Sequence, residues 1–225
     1  MLINFSELTR PLIGQPITHA WKGYGSAIFL EIGELDSSQR RDNACEHCIA
    51  IEWDWRVEFD GKVLFNSSNS TPIISDRVAQ LKDAEIKSIT HYGDIPELLI
   101  HLSTGHRIRT AVMATGDPEW SIRVGGGAWL HVVDGALVDG AAIANMTPER
   151  TELFRVASQT AERWGCTELQ PSLGDCGECV HFIRLAGHAN MLDYGACTSA
   201  DSPLDGRVVN LRSGCPQFKA KSGGQ

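Results

Sequence analysis

Between Cys48 and Phe59 the chain reads Cys-Ile-Ala-Ile-Glu-Trp-Asp-Trp-Arg-Val-Glu-Phe. Apolar Ile49, Ile51, Trp53, Trp55, Val57 and Phe59 alternate with Ala50, Glu52, Asp54, Arg56 and Glu58. A period of two predicts one strand with a buried face and a wet face. Asp60-Gly61 then predicts a tight turn into Lys62–Phe65, a hairpin. Ala27–Ile32 reads as an earlier strand, Ser75–Asp83 as a short helix, and Glu85–His91, Glu97–Leu102 and His106–Met113 as strands, the last two joined at Thr104-Gly105. Ser121–Val124, Trp129–Val133 and Ala136–Val138 continue the β pattern.

The period changes at Pro148. Leu153, Phe154, Ala157, Ala161 and Trp164 recur at helical spacing through Trp164. Thr147 suits the N-cap, Pro148 the first helical position, Glu149 and Glu152 the positive end of the dipole, and Gly165 the position past the end. The expected architecture is α+β. A mainly antiparallel β domain over 1–145 leads through this helix into a small cysteine-rich domain over 146–225.

Composition narrows the function classes. With 42% hydrophobic and 21% charged residues the chain is globular. The formal net charge is −8. Residues 1–145 carry 12 Lys and Arg against 19 Asp and Glu, and residues 146–225 carry 8 against 9. The acidity therefore belongs to the first domain. It argues against a nucleic-acid binder and suits a protein partner with a basic face. No apolar run is long enough to span a bilayer and no secretory leader opens the chain, so a cytoplasmic location away from membranes is expected. In a reducing compartment the seven cysteines read as metal ligands or free thiols rather than disulfides.

Four of them form the strongest constellation. Cys176 and Cys179 are a C-x2-C pair, Cys197 follows after 17 residues, and Cys215 after another 17. The intervening turns, Leu173-Gly174, Tyr194-Gly195, Asp205-Gly206 and Ser213-Gly214, allow the backbone to bend around a bound centre. Four thiolates in a segment with little other core suit either tetrahedral Zn2+ or a [4Fe–4S] cluster. Phe182, Ile183, Leu185, Tyr194, Val208, Val209 and Phe218 are the candidate dry shell, and His181 and His188 lie between the ligands. Cys45-Glu46-His47-Cys48 is a second C-x2-C pair, with His47 or Cys166 as a conceivable further ligand. No catalytic residue is expected. Asp42, Glu46, Glu52, Asp54 and Asp60 are scattered acids, Gly125-Gly126-Gly127 lacks the Lys of a phosphate loop, and Gly25-Ser26 lacks the second glycine of a nucleophile elbow.

The segment Cys-Gly-Glu-Cys-Val-His-Phe, then Tyr-Gly-Ala-Cys, then Ser-Gly-Cys-Pro-Gln-Phe resembles the high-potential iron–sulfur protein pattern. That resemblance implies a four-cysteine cluster and an electron-transfer accessory. The stretch Tyr194–Val209 also resembles an uncharacterised bacterial cysteine-rich family. Trp21-Lys22-Gly23-Tyr24-Gly25-Ser26 and Ile51-Glu52-Trp53-Asp54-Trp55-Arg56 resemble uncharacterised bacterial proteins. Acidic β-rich modules of this size resemble immunity proteins, which implies inhibition of a basic toxin.

Overall fold

The long alternating strand expected over Cys48–Phe59 is two strands in two different sheets. β3 (Cys45–Ile51) ends one residue before Glu52, and β4 (Asp54–Phe59) begins after Trp53. The corner is clasped from a distant turn. The Ser26 hydroxyl donates to the carbonyls of Glu52 (3.3 Å) and Trp53 (3.1 Å), and the Trp55 indole donates to the Ser26 carbonyl at 2.8 Å. Alternation survives the corner because both strands aim the same parity of residue at one core. Ile49 and Ile51 enter it from one sheet, and Trp55 and Val57 from the other. At the edges of the pattern, Ala50 is buried although expected wet, and Phe59 is 42% exposed although expected buried.

This computed structural model describes residues 4–35, 45–113, 118–125, 127, 129–139, 148–167, 169–185 and 191–221. They are mostly antiparallel sheet with few helices, and they divide into two units, one up to residue 145 and one from residue 146. In the first unit β1 (Ile17–Lys22), β2 (Ile28–Leu35), β3, β9 (Trp120–Arg123), β10 (Trp129–Val133) and β11 (Ala136–Asp139) form a six-stranded sheet in that spatial order. β5 (Lys62–Asn66), β4, β8 (Arg107–Ala111), β7 (Glu97–Leu102) and β6 (Ile86–Tyr92) form a five-stranded one. Ile28, Leu30, Trp120 and Ile122 of the first sheet share a single buried cluster with Ile86, Leu98, Ile100 and Ile108 of the second. That is the interior of a β-sandwich. Helices α1 (Phe5–Thr9) and α2 (Thr71–Ala79) add Phe5, Ile74 and Val78 to the same core. The β4–β5 turn has positive φ at both Asp60 and Gly61, as a two-residue hairpin requires.

α2 starts four residues before the expected helix, with Pro72 in its first turn, a position where the missing N–H costs nothing. In the second unit α3 spans Pro148–Trp164, and Gly165 follows it at φ +58°. Thr147, its expected cap, lies outside the described residues. The expected apolar stripe is only partly buried. Ala157 is covered, whereas Leu153 is 58% and Trp164 42% exposed. Beyond it β12 (Phe182–Arg184), β13 (Tyr194–Cys197) and β14 (Val208–Asn210) form a three-stranded antiparallel sheet. No helix among the described residues is long and apolar enough to cross a membrane.

Candidate metal centre

Two backbone ladders bring the distant cysteines together. Asp175 bridges to Gly214, the Cys176 N–H donates to the Ser213 carbonyl (2.6 Å), and the Gly177 N–H donates to the Leu211 carbonyl (2.6 Å). On the other side Cys179 bridges to Ala220, and the Val180 N–H donates to the Lys219 carbonyl at 2.9 Å. Between the ladders Cys176–Glu178 makes one 3-10 turn, closed by the Cys179 N–H on the Cys176 carbonyl at 2.9 Å. Both members of the C-x2-C pair thus sit on a tight knuckle beside Cys215. Cys197 arrives at the end of β13, opposite Phe182 of β12.

All four cysteines are buried, each at most 8% exposed. They line one small, partly open cavity together with Gly174, His181, Phe182, Ser199, Val209 and Phe218. Burial first, and then Cys215, Cys197, Cys179 and Asp175, push the Cys176 thiol up to about 12. A bound cation would reverse that effect at Cys176, because a cation deprotonates its thiol ligands. The donor set therefore suits a thiolate-bound metal. As the side chains stand, however, no three of the described His, Cys, Asp and Glu groups are arranged to hold an ion. The sulfurs share a cavity wall, and rotation of the side chains would have to close them on a single Zn2+ at about 2.3 Å.

The dry shell follows the pleat of the sheet rather than apolarity alone. Phe182, Val209 and Phe218 face the cavity. Ile183 pairs with Ala196, and Ala196 with Val208, on the opposite face, where Ile183 is 61% and Val208 42% exposed. Tyr194 is buried on that face too. It packs edge-on against Trp164 at 5.3 Å and donates to the Ala161 carbonyl, so it braces the helix and not the cavity. Leu185 is half-buried and His188 lies outside the described residues. Two glycines let aromatic walls approach. A Cβ on Gly174 would lie 2.7 Å from the Phe218 ring, and one on Gly195 would lie 2.5 Å from both the Phe182 ring and the Ile183 carbonyl. Replacing Gly195 with alanine is therefore expected to prise β12 from β13 and to destabilise the second unit by about 1–3 kcal/mol, the usual cost of overpacking. Faster amide exchange at 182–184 and 194–197 would report it, and unchanged exchange there would contradict it.

The second C-x2-C pair makes no comparable knuckle. Its residues run as strand β3, Cys48 is fully buried, and the His47 Nδ1 accepts the Gly125 N–H at 2.8 Å. Cys166 is exposed.

Residues 134–220 match the model of DUF3027, a family of proteins of unknown function. The match takes in α3 and all four cavity cysteines, and covers less than half of the chain. No curated protein and no solved structure matches the chain. The DUF3027 match is to neither a high-potential iron–sulfur family nor an immunity family.

Sequence reasoning missed two groupings. Ser199 and Ser202 are buried in the loop after Cys197, where nothing in the sequence marks them out. Glu52, read as a scattered acid, has Glu119 as a carboxylate neighbour and accepts the Tyr24 hydroxyl, so the Trp21–Ser26 and Ile51–Arg56 motifs meet at the β3–β4 corner. Burial and then Glu119 raise its carboxyl to about 7. The acidic unit also displays cations on the five-stranded sheet. Arg56 (2.7 Å), Arg107 (3.4 Å) and Arg109 (3.4 Å) surround Glu58 and hold its carboxyl below the usual range, the Arg56 hydrogen bond contributing most.

Proposed function

We propose that the second unit is a metal-holding module in which Cys176, Cys179, Cys197 and Cys215 ligate one centre, a [4Fe–4S] cluster or Zn2+. The observation that carries this reading is that four buried sulfurs, drawn from three separate stretches of chain, line a single cavity. The centre fixes the shape of the module, since ligation replaces core that so small a unit lacks. The protein then acts in the cytoplasm by binding a protein partner, with the acidic first unit favouring one that presents a basic face. Charge complementarity mainly raises the association rate, so that step is expected to slow with added salt.

Metal analysis of the full chain purified without oxygen tests the centre. The expected result is one Zn2+, or the iron and sulfide of one [4Fe–4S] cluster, per chain, lost on replacing any of the four cysteines by serine. A metal-free chain that takes up neither would overturn it. Iron that exchanges electrons reversibly with a small redox partner would replace the scaffold role by an electron-transfer one.

A further inference from the structure

Ser202 is an unexpected residue to find buried. It lies in the ten-residue loop between Cys197 and Val208 and is 6% exposed. The loop is knotted by its own backbone. The Ser202 N–H donates to the Ser199 carbonyl (2.9 Å), the Asp205 N–H donates to the Ser202 carbonyl (3.0 Å), and the Gly206 N–H closes on the Cys197 carbonyl (2.9 Å). Those contacts fix where the side chain points. The Leu204 N–H donates to Ser202 Oγ at 3.1 Å, which occupies an oxygen lone pair, and the hydroxyl proton is left to point at Cys215 Sγ, 3.4 Å away. Both partners are buried, so water does not compete for that bond.

We infer that Ser202 is a positioning residue for the metal centre, holding Cys215 as an oriented, hydrogen-bonded thiolate. The inference rests on the metal reading above. A donor on a ligating sulfur draws electron density from it and restrains its rotation, and outer partners of this kind typically change metal affinity by 10–100-fold. Because the same loop begins at Cys197, Ser202 also ties the third and fourth ligands of the chain to one rigid segment.

The test uses the full chain loaded with Co2+, or with its own iron where purification yields iron, as wild type, Ser202→Ala and Ser202→Thr. Alanine is expected to speed metal loss to a chelator by about tenfold and to move the sulfur-to-metal charge-transfer band to lower energy, since the freed thiolate is the better donor. Threonine, which keeps the hydroxyl, is expected to restore both. A merely structural serine would leave the band in place, so an unshifted band in the alanine variant overturns the inference whatever the rate of loss. A wild-type chain that holds no metal overturns the metal reading itself, a separate failure.

Discussion

Replacing Cys197 by serine is expected to unfold the second unit and leave the first intact. The described core of the second unit is slight. Leu204 and Val209 share one buried cluster with Cys176, Cys197 and Cys215, so the cysteines are themselves much of the interior. Structural Zn2+ contributes apparent free energies of about 10–16 kcal/mol to small modules at neutral pH, more than the whole stability of most domains. Losing one ligand of four removes a large part of that. The first unit has a continuous sandwich interior running from Phe5 to Val132, none of it built from these cysteines. Limited proteolysis with mass spectrometry is expected to give a resistant fragment ending near residue 145, and a chelator strong enough to strip the wild type to give the same one. Proteolysis of the entire variant would show that the two units fold as one, and an intact, protease-resistant variant would show that the metal does not hold the second unit together.

The parts of the structure legible in sequence are those set by local period. β7 and α3 fall within the bounds read from alternation and from Pro148 and Gly165, because neighbouring residues alone decide them. The Glu52-Trp53 corner was not legible. Alternation runs through it unbroken, and what turns the chain is Ser26, about 26 residues earlier in sequence. The identity of the four cavity cysteines was legible in their spacing. Their surroundings were not, because apolarity does not say which side of a pleat a residue takes. Phe182 and Ile183 are equally hydrophobic neighbours, and only the first faces the cavity. Ser202 was illegible for a related reason. A serine before Pro203 is ordinary turn chemistry until the loop closes and places its hydroxyl on a sulfur thirteen residues on.

The β3–β4 corner supplies the second large effect, a loss of stability as the pH rises from about 4.5 to about 7. Glu52 has its carboxyl raised from 4.5 to about 7, burial being the larger cause and Glu119 the smaller. Tyr24 also faces it and donates to it. The folded chain therefore binds this proton more tightly than the unfolded chain does. The stabilising contribution is fully present below about pH 4.5 and is lost as the pH climbs through about 7. Every tenfold gain in proton affinity on folding is worth about 1.4 kcal/mol, so the loss is about 3 kcal/mol once Glu52 is ionised in both states. Glu58 works in the opposite sense and in a lower window. Its lowered carboxyl favours the fold above its ordinary value of 4.5, and that contribution fades as the pH falls. Comparing the wild type with Glu52→Gln isolates the corner, because every other titrating group is common to both. The amide is a fixed neutral replacement, so any packing cost it brings is independent of pH. Denaturant unfolding of the first unit at a series of pH values is expected to show the variant gaining on the wild type from about pH 4.5, levelling off above about 7 after a total gain of about 3 kcal/mol. A difference that stays flat across that range would mean that Glu52 ionises in the fold as freely as in water, and that burial at the corner is relieved by solvent.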